Sequence, residues 1–523
     1  MKKYIASIAV LCLIAFIGCE PEVALDNQTS SGTDTTKTVT PVIDTDTING
    51  AAFTDSLVIV WDGSSASVSG NVENVTVTGN SNGYVVITST TTSEKYVKYL
   101  LSGNGSGQFK LYSAQPYELQ LKGLTLTCSN GPAINSQSKK TGYITVSNTN
   151  TLTDGSTYAT STEDQKAVLF SEGQLVFSGD GTLNVTGNCK HAIASDDYIR
   201  IRGGVLNIQA NVSDGIHVND GLFVDGGNIT VNAAGDGLQS DSATIQITAG
   251  TINVTSVDKG ILSQTGTLSI SGGTINVTTS GSEGKGLKSE GAMAISGGKT
   301  TVICSTSSGA YAPAWGPGGG GPGGGSSSSG PEGIEGEASI TITGGEVYSY
   351  SSDDAINAGG DLTISGGLVC AHSTGNDGID ANGNCYIKGG VVYAIGASSP
   401  EVAIDANSEE QKKLYLTGGT LVAVGSLESG ASLSQTCYQA SGSTSTWYAL
   451  VVGDEVFAFK TPGSNASKIV VSGASQPALY KSVTPSGTAV FNNTAYYPAS
   501  YSGGSSVSLS TYSASSGGGP GGW

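Results

Sequence analysis

Acidic residues recur along the middle of this chain at steps that would stack them. One series reads Asp214, Asp236, Lys259, Lys285, Glu332, Asp354, Asp377 and Val402. Three residues after each comes a second series: His217, Gln239, Leu262, Lys288, Glu335, Asn357, Asp380 and Asp405. Two residues further on stands a third, comprising Asn219, Asp241, Gln264, Glu290, Glu337, Gly359, Asn382 and Asn407. Asp258 and Asp353 immediately precede members of the first series. Carboxylates stacked at strand spacing repel unless they are protonated, paired or metal-bound. Clusters of Asp, Asn and backbone carbonyl oxygens suit Ca²⁺, which takes six to eight hard oxygen ligands. Two groupings qualify, Asp214/Asp236/Asp241/Asp258 and Asp353/Asp354/Asp377/Asp380. The competing reading is that D-G dipeptides are turn formers in which Asp caps its own backbone.

Lys259, Lys285 and Lys288 adjoin these acids. A lysine beside a metal ion can remove the proton α to a uronate carboxylate, whereas a plainer role is to neutralise the acidic ladder. A further series carries Asn207, Thr230, Asn253, Asn276 and Thr301, then Tyr348, Cys370 and Tyr393, with Tyr350 and His372 two positions on. Strand alternation points these residues outward, and flat aromatics beside amides can stack on sugar rings. Cross-strand tyrosine pairs that merely stabilise a sheet are the equal alternative. No G-x-S-x-G, H-E-x-x-H, P-loop or dinucleotide fingerprint stands in a supporting context, so a hydrolase triad or nucleotide chemistry is unsupported.

The elements that must position these residues come from an internal repeat. A Gly-Gly step, once Ala249-Gly250, recurs at 203–204, 226–227, 249–250, 272–273, 297–298, 344–345, 366–367, 389–390 and 418–419. Short alternating segments flank each step, for example Leu268-Ser269-Ile270-Ser271 and Thr274-Ile275-Asn276-Val277. A third segment carries one apolar residue per repeat: Ile193, Ile216, Leu238, Ile261, Leu287, Ile334, Ile356, Ile379 and Ile404. Three short strands in roughly 23 residues cannot bury a face alone, so successive coils must stack. The periodicity predicts an all-β fold, a parallel β-helix of 22–25-residue coils, rather than a leucine-rich repeat or a propeller.

The coils are expected over 50–190, less regular and with a cap, and over 191–430 in regular form. A Gly/Pro-rich insertion at 309–330 is expected to leave the ladder intact. Residues 431–490 change character, with Trp447–Val452 and Val456–Phe459, and predict a small antiparallel β module over the end of the stack. Residues 491–523 read as a Ser/Gly-rich tail, disordered from Ser502.

Composition agrees. Of 523 residues, 77 are glycine, about twice ordinary usage, and good helix formers are few. The chain holds 23 basic and 42 acidic residues, a net charge of −19, which argues against nucleic-acid binding. It argues equally against binding an acidic polysaccharide unless a cation bridges the two. Cys128, Cys189, Cys304, Cys370, Cys385 and Cys437 lack CxxC spacing and read as buried structural thiols. At the N-terminus, Lys2 and Lys3 precede an apolar run from Ile5 to Ile17 and then Ala15-Phe16-Ile17-Gly18-Cys19. Residues 1–19 therefore predict a bacterial lipoprotein signal with lipidation at Cys19. Residues 20–49, rich in Thr, Asp and Ser, predict a flexible tether. The expected location is that of an exported protein anchored in a membrane, at the outer membrane or cell surface.

The strings GIEG (333–336), SITITGG, Asp353-Asp354-Ala355-Ile356-Asn357, DLTISGG and Asp377-Gly378-Ile379-Asp380, with ASDDYIRIRGG (194–204) and LKGLTLTCSNGPAI (121–134), resemble a bacterial family. It is the family of secreted carbohydrate-binding-domain β-helix proteins, structural relatives of pectate lyases, and the likeness spans roughly residues 50–480. The resemblance implies a right-handed parallel β-helix that binds calcium and pectic or cellulosic cell-wall polysaccharide, generally without lyase activity. Its acidic turn motifs fall here on Asp196, Asp197, Asp353, Asp354, Asp377 and Asp380. The chain departs from the pattern at Val402-Ala403-Ile404 and at His191-Ala192, which argues against cation sites on those coils. Three functions follow: a non-catalytic polysaccharide-binding lipoprotein using Ca²⁺, a calcium-dependent polysaccharide lyase, or a β-helical adhesin or spacer.

Overall fold

The computed structural model describes residues 53–79, 82–92, 95–305 and 330–514. Cys19, the tether, most of the 309–330 insertion and residues 515–523 lie outside them. The described chain is all-β, with no α-helix; its only named helical turn is the 3₁₀ turn Ser408–Glu410. No helix among these residues is long and apolar enough to cross a membrane.

The repeat folds as its period demands. The third segment of each coil forms a 13-stranded sheet, parallel throughout except for Val75–Thr78, which runs antiparallel to Tyr84–Ser89. Ile193, Ile216, Leu238, Ile261, Leu287, Ile334, Ile356 and Ile379 stand one above another in it. Ile404 and Leu427 extend the column by single bridges. Strands before and after the Gly-Gly steps build a 28-stranded sheet across from it. There Ile252, Ile275, Thr300, Val347, Val369, Val392 and Leu421 form another inward column. Both columns are buried in one core cluster that runs the length of the helix. The architecture is a parallel β-helix.

The Gly-Gly step has two separate causes. At every step the second glycine has positive φ, from +76° at Gly298 to +96° at Gly250, where a side chain is strained. The first glycine lies against the previous coil: a Cβ on Gly272 would sit 2.1 Å from the Thr248 carbonyl oxygen. The second position therefore requires glycine at every step, and the first is glycine at all steps but one, where Ala249 is accommodated.

On either side of the insertion the ladder is unbroken, with Lys285–Ser289 pairing Glu332–Gly336 and Lys299–Cys304 pairing Glu346–Ser351. At the N-terminal end Phe53–Gly63 folds back antiparallel on Ser65–Ser69 and closes the first coil. At the other end Trp447–Val452, Glu455–Lys460, Ala478–Val490 and Ala495–Val507 close into a four-stranded antiparallel barrel. The expected tail is thus corrected: residues 495–507 pair along Ala478–Val490, and Ser510–Thr511 pairs with Cys437–Ser441. Small Ser and Gly residues are compatible with an exposed hairpin, and composition alone mistook them for disorder. All six cysteines of the described chain are free, and all but Cys189 are buried.

Candidate functional site

The first acidic series lies in the turn that leads into the third strand of each coil. One carboxylate oxygen there accepts the backbone N–H of the same position one coil further on. Asp214 receives the Asp236 N–H at 2.9 Å and Asp236 receives that of Lys259 at 2.7 Å. Asp354 receives the Asp377 N–H at 3.0 Å, and Asp377 receives that of Val402. These aspartates therefore cap the next coil rather than their own backbone, and the second oxygen of each is left for other partners. Three environments result.

Downstream, Asp377, Asp380 and Asp405 bring one carboxylate oxygen each within 4.8 Å of one another. Register explains the grouping, because Ile379 and Ile404 bridge, and Asp380 and Asp405 each follow one of them. Asp377 is buried, and no cationic side chain forms an ion pair with any of the three among the described residues. Burial, with the neighbouring carboxylates adding to it, pushes Asp377 up to about 8 and raises Asp380, while Asp405 is raised by burial, then by a hydrogen bond with Glu428 and by the surrounding carboxylates. Asp354, 5% exposed, is raised by burial and then by Asp380 and Asp353. Beside Asp380 in the ladder stands Asn357, whose buried Oδ1 has no hydrogen-bond partner. Asp353 is occupied by the Gly330 N–H at 2.7 Å and the Asn376 amide at 2.8 Å. These residues can hold a hard cation.

In the middle coils the acids have cationic partners. Lys285 Nζ lies 2.9 Å from Glu332 and 3.8 Å from Glu335, with both Lys285 and Glu332 side chains 4% exposed. Lys288 lies 2.9 Å from Glu337 and 3.2 Å from Glu335, which raises its pKa despite burial. Lys259 contacts Asp258 at 2.6 Å.

Upstream, Asp214 and Asp241 are joined to His191 and His217 rather than to calcium-like oxygen ligands. The downstream and upstream clusters thus fall on the two coils where the acid–Gly pattern is broken. The motif departures hid them: Asp405 supplies the acid that Val402 lacks, and His191 supplies a different ligand type. The predicted grouping with Asp236 and Asp258 is split, since Asp236 caps the Lys259 backbone and Asp258 pairs with its side chain. Asp196 is ion-paired to Lys166, and Asp197 accepts the N–H of Tyr198 at 2.8 Å.

The aromatic ladder is corrected. Tyr348 and Tyr393 are 6% and 0% exposed, because the C-terminal barrel packs on them through Tyr448, Leu450, Phe457 and Phe459. The Tyr393 hydroxyl donates to the Lys460 carbonyl at 2.9 Å, and Glu346 accepts the Phe491 N–H at 2.8 Å. Tyr350 and His372 are half-buried and meet edge-to-face at 5.0 Å. Alternation did point this face outward, but a second module then covered it. Outside that covered face, Tyr386 and Tyr415 are half-buried and stacked at 5.1 Å on successive coils, with Lys388 4.7 Å from the Tyr386 ring. Both stand three residues before a Gly-Gly step, so the repeat itself could have revealed them.

Comparison with known proteins places the chain in a family. No curated protein matches the chain. A solved structure, that of the polysaccharide lyase-like protein from C. thermocellum in a gadolinium derivative, is similar at 24% identity with a TM-score of 0.40, over 46% of this chain and 96% of that one. The family model for carbohydrate-binding domain-containing proteins matches residues 81–378. That span is more than half of the 523 residues, and the chain belongs to the family of carbohydrate-binding domain-containing proteins.

Proposed function

We propose that this protein is a non-catalytic carbohydrate-binding lipoprotein, held to the membrane through Cys19, that takes up acidic cell-wall polysaccharide through bound Ca²⁺. The observation that carries the reading is the convergence of Asp377, Asp380 and Asp405 without a cationic partner among the described residues. The donor set fits calcium: three carboxylates, with the unpartnered Asn357 Oδ1 next in the ladder, are all hard oxygens. Calcium would supply the positive charge that an acidic chain of net −19 needs to meet a polyuronate. This chain's own residues would hold the ion, and the inter-coil cap to the Val402 N–H fixes Asp377. The stacked Tyr386 and Tyr415 offer a flat apolar face for a sugar ring.

The lysines support the non-catalytic reading. A general base must lose its proton, and Lys288 is held protonated by Glu337 and Glu335. Lys285 and Lys259 are committed to Glu332 and Asp258.

Polygalacturonate binding by the full chain, measured with calcium and again with excess chelator while unsaturated products are followed by ultraviolet absorbance, tests this. Calcium-dependent binding without product is expected. Product formation would replace this reading with a lyase, and absence of binding under both conditions would refute the acidic-polysaccharide assignment.

A further inference from the structure

The upstream cluster is built from different chemistry. The chain has three histidines, and two of them, His191 and His217, stack on adjacent coils with ring centroids 4.3 Å apart. Both turn Nδ1 towards one oxygen, Asp214 Oδ2, at 3.0 Å each. The three ligand atoms lie within 4.8 Å of one another. Around a tetrahedral ion with ligands at about 2.0–2.1 Å, neighbouring ligand atoms are separated by roughly 3.3 Å. The two Nδ1–Oδ2 separations of 3.0 Å are already close to that spacing.

We propose that His191 Nδ1, His217 Nδ1 and Asp214 Oδ2 form a binding site for a borderline divalent transition cation of the zinc class, distinct from the carboxylate cluster downstream. Imidazole nitrogen suits such an ion and does not suit calcium. A supporting shell is already in place. His217 Nε2 lies 3.2 Å from Asp241 Oδ2, the carboxylate–histidine arrangement that fixes a ligating imidazole with Nδ1 aimed at the metal. Asp241 is itself held by the Gln239 amide at 2.7 Å. Asp214 is fixed by the Asp236 N–H on Oδ1, which leaves Oδ2 as the ligand atom.

The arrangement also demands positive charge. Both nitrogens of His217 face carboxylates, Nδ1 at 3.0 Å from Asp214 Oδ2 and Nε2 at 3.2 Å from Asp241 Oδ2, so a cation at Nδ1 would sit among acidic groups. Partial exposure of the three side chains, 20% for His191, 16% for His217 and 11% for Asp214, gives an ion a way in. With three protein ligands, one position stays open for water, and Ser213 Oγ stands nearby, 3.2 Å from His191 Nδ1.

Zinc titration of the full chain by calorimetry, in calcium-saturated buffer, is the test. One equivalent is expected to bind at this site. H191A and H217A should each weaken it by about a hundredfold, and D241N by about 10–100-fold, with calcium uptake unchanged in all three. Cobalt(II) should give visible d–d bands without thiolate charge-transfer absorption, which separates this site from the free cysteines. H191Q and H217Q, checked by circular dichroism, replace any alanine variant that misfolds. Zinc affinity unaltered in both histidine variants, or a thiolate spectrum with cobalt, would overturn the assignment.

Discussion

The coils around His217 and those around Asp380 use the same turn, the same inter-coil cap and the same ladder positions, yet they arrive at opposite electrostatic solutions. Upstream, imidazoles occupy the slots that face Asp214, and its carboxyl is held well below the ordinary range by hydrogen bonds from His191 and His217 that outweigh burial. Downstream, acids occupy those slots, and burial with mutual repulsion lifts Asp377, Asp380 and Asp405. Between them, Lys285 and Lys288 supply the countercharge covalently. The solenoid therefore fixes where side chains meet, while the choice of residue at each slot decides whether the acids meet a lysine, a histidine or one another.

The middle coils give the largest expected effect. Lys285→Met would leave Glu332, 4% exposed on its side chain, without its partner. Loss of one member of a buried pair costs about 3–5 kcal/mol, read as a fall in the midpoint of chemical denaturation. A change below 1 kcal/mol would show that the middle coils do not depend on a built-in countercharge. Slightly smaller is the effect of calcium on the downstream coils. At a free concentration near a hundred times its dissociation constant, calcium should stabilise the protein by about 2.7 kcal/mol. D380N/D405N should abolish that gain in thermal melts and leave the zinc response intact. A gain that survives in the double variant would place calcium elsewhere.

How much of this was legible in the sequence depends on which physical rule governed each part. The Gly-Gly steps and the apolar column from Ile193 to Ile404 report a period, and period alone dictates stacking, so the β-helix could be read directly. Ladder membership of Asp214, Asp377 and Asp380 followed from the same period. Partner choice did not: Asp258 pairs with its sequence neighbour Lys259 and Asp196 with Lys166 of the preceding coil, and which of these a side chain takes depends on its rotamer and reach, not on the period. Tyr348 and Tyr393 were misread because alternation distinguishes inside from outside only until another module arrives. Asp405 and His191 were overlooked because a motif weighs what is missing, Val402 for an acid, and not what the neighbouring slot supplies.

The two clusters should also part company in their response to pH. The folded-state pKa of Asp377 is raised, so protonation favours the folded form. Its contribution is fully present below about 3.8 and is lost as pH rises towards 8. With excess chelator, melting temperature should therefore fall between pH 5 and 9, and saturating calcium should flatten the decline. Equal slopes with and without calcium would break the link between this cluster and the metal.

The smallest effect separates the histidine cluster from this background. His217 is held protonated by hydrogen bonding to Asp214 and by the charges of Asp241 and Asp214, which together outweigh the desolvation that opposes them. A raised folded-state pKa for a histidine means stabilisation that is present below about 6.5 and lost as pH rises through the folded value. In metal-free buffer, His217→Gln should cost about 1 kcal/mol at pH 6, the size of a modest charged hydrogen bond, and progressively less towards pH 9. Asp214 acts on the other flank: its lowered pKa contributes stability above about 3.8 that disappears on acidification. Denaturation midpoints of wild type and H217Q across that range read the difference directly. Curves that stay parallel from pH 6 to 9 would mean that a neutral imidazole serves Asp214 as well as a charged one, and the claim that this cluster requires a cation would fall with it.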